Sequence, residues 1–73
     1  MPIVTLPDGK QLTLADGATL YDVAAAIGPG LARAAIGGVI TANGERQLAD
    51  LTARLPGDCT VALLTANDEN ADS

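Results

Sequence analysis

Seventy-three residues make one small domain, with too little volume for an enclosed active site and its supporting shells. Nine Asp and Glu against four Lys and Arg give a net charge of −5 and a pI near 4.1, and the cations Lys10, Arg33, Arg46 and Arg54 are scattered along the chain. Phosphate binding needs clustered cations and base stacking needs aromatic platforms, so with Tyr21 as the one aromatic residue strong autonomous nucleic-acid binding is not expected.

The first element is a hairpin over residues 3–14. Ile3-Val4-Thr5-Leu6 and Gln11-Leu12-Thr13-Leu14 alternate so that Val4, Leu6, Leu12 and Leu14 share one face and Thr5, Gln11 and Thr13 the other. Pro7-Asp8-Gly9 between them is turn chemistry: Pro pre-sets φ, Asp bonds its own backbone and Gly accepts positive φ. Ala15-Asp16-Gly17-Ala18 is a second turn that leads into a helix.

That helix, Thr19–Gly28, has both ends signed. Thr19 is its N-cap, and Asp22 stands where the acid of a capping box belongs, at the positive end of the helix dipole. Leu20, Val23, Ala24 and Ile27 follow the i, i+3, i+4, i+7 rule and form one apolar stripe. Gly28 supplies a C-terminal residue that tolerates the left-handed conformation, and Pro29 forbids continuation. By propensity Leu31–Ile36 is a further helical turn or two, ended by Gly37-Gly38. Gly28-Pro29-Gly30 has the glycines of a phosphate loop but no Lys-Ser/Thr pair, and it follows a helix where such a loop follows a strand. A helix stop and re-entry explains it better.

Val39-Ile40-Thr41 is a short strand, Asn43-Gly44 a two-residue type I′ turn and Arg46-Gln47-Leu48 the return strand. Asp50 caps a brief turn through Leu51 and Leu55, which Pro56-Gly57-Asp58 closes. Thr60–Thr65 is near-continuously apolar, as a central, well-covered strand would be. From Ala66 onward the chain is polar and acidic, and residues 67–73 are expected to be a disordered linker. The order is strand, strand, helix, short helix, short strand, short strand, turn, long strand. It fits an α+β layer of β-grasp (ubiquitin-like) type: a mixed sheet of four to five strands on one main helix, with the last strand parallel to the first and between it and the middle pair.

No reaction is named by the residues. The chain has no His, so neither a serine nor Cys59 has an imidazole base. Cys59 sits between Asp58 and Thr60, where the neighbouring charge raises a thiol pKa. One Cys excludes an intrachain disulfide and, without His, a zinc ligand set. Asp8, Asp16 and Asp22 could pair for acid–base work, yet each is better explained as a turn or cap residue. Lys10 and Arg33 could each touch a partner phosphate, though lone exposed cations are usually only solubilising. The expected assignment is no catalytic, cofactor-binding or metal-binding residue. No apolar run approaches the ~20 residues of a membrane span, and a cytoplasmic setting is expected.

Met1–Lys10, M-P-I-V-T-L-P-D-G-K, resembles the opening of the TGS domain at the start of bacterial threonyl-tRNA synthetases. The resemblance continues through Asp22–Ala35, where D-V-A-x-x-I-G-P-G-L-A-[KR]-A is the family pattern, and in Asp50-Leu51 and Leu63–Glu69. It covers most of residues 1–36 and 59–69. Between Gly38 and Asp50 the chain departs: the family's hairpin is shorter and a Lys or Arg follows its glycine pair, where Val39 stands here. That leaves the register of the 39–48 hairpin open, and no family functional residue is carried onto a position.

The resemblance implies a non-catalytic β-grasp module over residues 1–66, followed by a linker at 67–73 toward an editing domain. The partners implied are the downstream editing and catalytic domains of the same polypeptide, with tRNA as a weaker one. The parent enzyme would be a homodimeric threonine–tRNA ligase using ATP and zinc, neither of them held by this chain. Two rivals remain. One is the regulatory TGS module of a stringent-response synthetase or GTPase, against which the I-G-P-G-L-A stretch and the T-A-N-D-E exit argue. The other is a stand-alone ubiquitin-like interaction domain, marked by an exposed apolar sheet patch; a sulfur carrier would need Gly-Gly where Asp72-Ser73 stand.

Overall fold

The computed structural model describes residues 1–65; Ala66 and the expected linker at 67–73 lie outside the described residues. Five strands and two helices follow one another as β1 (Ile3–Thr5), β2 (Gln11–Thr13), α1 (Leu20–Ile27), α2 (Pro29–Ala34), β3 (Ala35–Ala42), β4 (Glu45–Ala49) and β5 (Cys59–Thr65). One mixed sheet has the order β2-β1-β5-β3-β4. The last strand runs parallel to the first, with Val4 opposite Cys59 and Thr5 opposite Thr60, and antiparallel to β3. This is the β-grasp arrangement expected from the element order.

Both hairpins form as their turns dictate. In the first, the Asp8 carboxylate accepts from the Lys10 amide at 3.0 Å and Gly9 takes φ +94°. Val4 then pairs with Leu12 and Thr5 with Gln11, so the alternation puts Val4 and Leu12 toward the core and leaves Thr5 and Gln11 outside. In the second, Asn43 (φ 54°) and Gly44 (φ +80°) are both left-handed, which is what a type I′ turn requires. Ala42 faces Glu45, and this fixes the register of that hairpin.

Helix α1 carries the predicted capping box. The Thr19 hydroxyl accepts from the Asp22 amide at 3.4 Å, and the Asp22 carboxylate accepts from the Thr19 amide at 2.9 Å. Leu20, Val23 and Ala24 are fully buried. Leu20 and Val23 meet Val4, Leu6, Ile40, Cys59 and Val61 in the main core, while Ala24 packs with Ala32 of α2 and Ala35 of β3 in a smaller cluster beside it. Each fully buried Leu or Val contributes about 1.5–3 kcal/mol, and with no Phe or Trp in the chain aliphatic burial carries the fold.

Several local expectations are corrected. Gly28 is not left-handed but extended (φ 175°), while the expected helix stop and re-entry does form: α1 ends at Ile27 and Pro29 opens α2 at its first position, where its missing N–H costs nothing. Ile27 is 44% exposed, because α1 meets α2 at that point instead of continuing along the sheet. The second helix covers Pro29–Ala34, so Ala35 and Ile36 belong to the longest strand. Gly37-Gly38 lies inside that strand rather than ending a helix.

The reason is close approach. A Cβ at Gly37 would stand 2.6 Å from the carbonyl oxygen of Ala49, and one at Gly38 would stand 2.8 Å from that of Ala62. Strand β5 is central as expected, yet only one of its faces is covered: Cys59 and Val61 are buried while Thr60 is exposed. No helix lies over the other face among the described residues.

Candidate functional site

The carboxylates singled out in the sequence are engaged with structural partners. Asp8 holds its turn, Asp22 holds the capping box, and Asp16 pairs with the terminal ammonium of Met1 at 2.7 Å, with both groups largely exposed. Asp50 accepts from the Thr52 amide and hydroxyl at 3.1 and 2.8 Å. The role of Asp58 has no local signature: its carboxylate accepts from the Ile3 amide at 2.9 Å, across 55 positions, tying the entry of β5 to the start of β1. The geometry assigns Asp8, Asp16 and Asp22 separate partners and does not assemble them into a pair.

Cys59 is buried on the helix-facing side of β5. Burial pushes its thiol pKa up, and the neighbouring Asp58 carboxylate adds to the rise. A thiol held protonated is a poor nucleophile and a poor metal ligand. No group of three or more His, Cys, Asp or Glu capable of holding a metal occurs among the described residues.

The N-terminus of α1 is not an anion site. Its first amides are taken: Leu20 donates to the Ala53 carbonyl at 3.1 Å and Tyr21 to the Leu51 carbonyl at 3.0 Å. The segment around Leu51–Leu55 thus fills the place a phosphate would occupy. Gly28-Pro29-Gly30 joins two helices, which is not the strand-to-helix context of a phosphate loop. Lys10, Arg33, Arg46 and Arg54 are all exposed.

What remains is surface. On the uncovered sheet face, a shallow hydroxyl-lined depression runs over Thr5, Gln11, Thr41 and Thr60 at one end. At the other end Ile36, Gly37, Leu48 and Leu64 line an apolar one. On the helix side, Leu6, Pro7, Ile27 and Leu31 border a groove that ends at Thr65. Leu48 and Ile36 are 77% and 60% exposed, high values for large aliphatic side chains on one sheet face. Sequence reasoning missed this patch, although Leu48 opposite Val39 follows from the two-residue turn once its register is known.

The family model for the TGS domain matches residues 2–65. The chain belongs to the TGS domain family. Its relatives include the threonine–tRNA ligase of Methylococcus capsulatus, 48% identical over 68 residues, which are 93% of this chain and 10% of that protein. That of Nitrosococcus oceani is 47% identical over 68 residues, with the same shares. That of Marinobacter nauticus is 43% identical over 70 residues, covering 96% of this chain and 10% of the relative. This TGS domain therefore spans about a tenth of the length of the curated relatives it matches.

Proposed function

We propose that this chain is the N-terminal accessory domain of a threonine–tRNA ligase, itself non-catalytic. In this reading the parent polypeptide charges tRNA(Thr) with threonine at the expense of ATP. The observation that carries it is 47–48% identity through 93% of the chain to proteins of that name, a much stronger warrant than fold likeness alone. The disposition of polar groups supports it, since Asp8, Asp22 and Asp58 hold backbone amides and Cys59 is buried. No described group is poised for proton transfer or nucleophilic attack. The sequence has no His and one Cys, which is buried, and the described residues offer no donor set for the zinc that the parent implies. That ion and the ATP are assigned to the rest of the parent.

Within the parent the domain docks against the editing domain. Singly exposed cations on a chain of net charge −5 favour docking over direct tRNA placement. The test is deletion of residues 1–66 from the parent enzyme, followed by threonine-dependent ATP–pyrophosphate exchange. The expected rate stays within about twofold of the intact enzyme's. Collapse of adenylate formation in a folded deletion enzyme would overturn the accessory role.

A further inference from the structure

We propose that the apolar patch of Ile36, Leu48 and Leu64 is the surface on which the polypeptide downstream of β5 docks, seating an aliphatic side chain of the following domain between Ile36 and Leu48. This rests on the accessory-domain reading above and adds to it which surface is used.

The patch is constructed by the strand geometry. Ala35 pairs with Thr65 and Gly37 with Leu64, so Ile36 and Gly37 together oppose one residue of β5. That is a bulge, in which the extra residue leaves the ladder and the strand re-aims its side chain. Ala35 remains in the core while Ile36 is 60% exposed beside Leu48, itself 77% exposed. Gly37 forms the depression between them and cannot take a side chain, because a Cβ there meets the Ala49 carbonyl oxygen at 2.6 Å. Two large aliphatic side chains flanking a glycine make a socket for a third.

The occupant follows from where β5 ends. Thr65, the last described residue, pairs with Ala35, next to Ile36, and Leu64 lines the patch itself. The match covers 10% of the Methylococcus relative, so about nine-tenths of that protein lies outside it, and on the accessory-domain reading this remainder follows β5. A domain tethered there is held at an effective concentration on the order of millimolar, so a contact of three side chains suffices.

A second copy of this chain has no such advantage. Stable association needs ~20–30 residues a side, and two chains of net charge −5 repel each other. The rival groove at Leu6, Pro7 and Ile27 also opens toward Thr65, but Ile27 at 44% exposure has less to gain from cover.

The experiment is hydrogen exchange on the intact parent enzyme, comparing the wild type with Leu48→Thr and Ile36→Thr. These exposed strand substitutions keep β propensity; circular dichroism and threonine activation confirm folding. Amides of residues 36–38 and 46–49 in the wild type are expected to exchange about tenfold more slowly than in either variant, as a millimolar tether and a tenfold tighter contact require. Equal exchange at the patch, with protection at Gly9 and Ile27 instead, overturns this surface and keeps the docking reading. Wild-type exchange that matches the separately expressed 73-residue chain everywhere overturns both.

Discussion

Leu20 and Gly38 meet where helix α1 crosses the sheet: a Cβ on Gly38 would stand 3.4 Å from Leu20 Cδ1 and 2.8 Å from the Ala62 carbonyl oxygen. The helix seats against β3 because that strand presents no side chain there. Gly38→Ala is therefore expected to cost about 1–3 kcal/mol, since the clash is with backbone and the neighbouring helix cannot yield without opening the core. A urea titration checks it. The midpoint should fall with the slope unchanged, and a midpoint equal to or above wild type would refute the close-approach account.

Gly44 provides the contrast. It has φ +80°, and a Cβ placed on it would meet nothing within 4 Å, so Gly44→Ala incurs conformational strain alone, about 1 kcal/mol. Gly44→Asn should recover part of that loss, because Asn tolerates the left-handed region. Equal losses for both substitutions would show that contacts, not φ, decide this position.

The capping box of Thr19 and Asp22 predicts non-additivity. Thr19→Ala should lower stability by about 0.5–2 kcal/mol. Asp22→Ala should do less in the Thr19→Ala background than alone, because each side chain satisfies the other's amide. A double-mutant cycle with zero coupling would mean that the reciprocal hydrogen bonds contribute nothing.

Cys59 gives a pH signature. Its thiol pKa is raised in the folded chain, by burial first and by Asp58 second. The stability it contributes is therefore fully present below the ordinary thiol pKa of 9.0 and is lost as pH rises through the folded value. The difference in unfolding free energy between wild type and Cys59→Ala should be flat from about pH 6 to 8, then narrow in the alkaline range. A difference that widens with pH would reverse the sign and contradict a raised pKa.

Much of the fold is legible in the sequence because its signals are local. Pro7-Asp8-Gly9 and Asn43-Gly44 name their turns, Thr19 and Asp22 name a helix start, and the apolar run to Thr65 names the central strand. Gly37-Gly38 misleads because its cause is tertiary. Two glycines in a row look like a stop, whereas here they let β4 and β5 approach from either side. The reach of Asp58 to Ile3 spans 55 positions and leaves no local trace. The candidate docking patch depends on a one-residue bulge at Ile36 and on the register that turns Leu48 outward, and neither can be read before strands are paired.

The most direct measurement of the central claim is the size of the native polypeptide, read by immunoblot of source-cell lysate with an antibody raised against this domain. Because the chain spans about 10% of its relatives, the account predicts a band roughly ten times the 7.3 kDa of the domain, co-fractionating with threonine activation. A band at the domain's own size would contradict it.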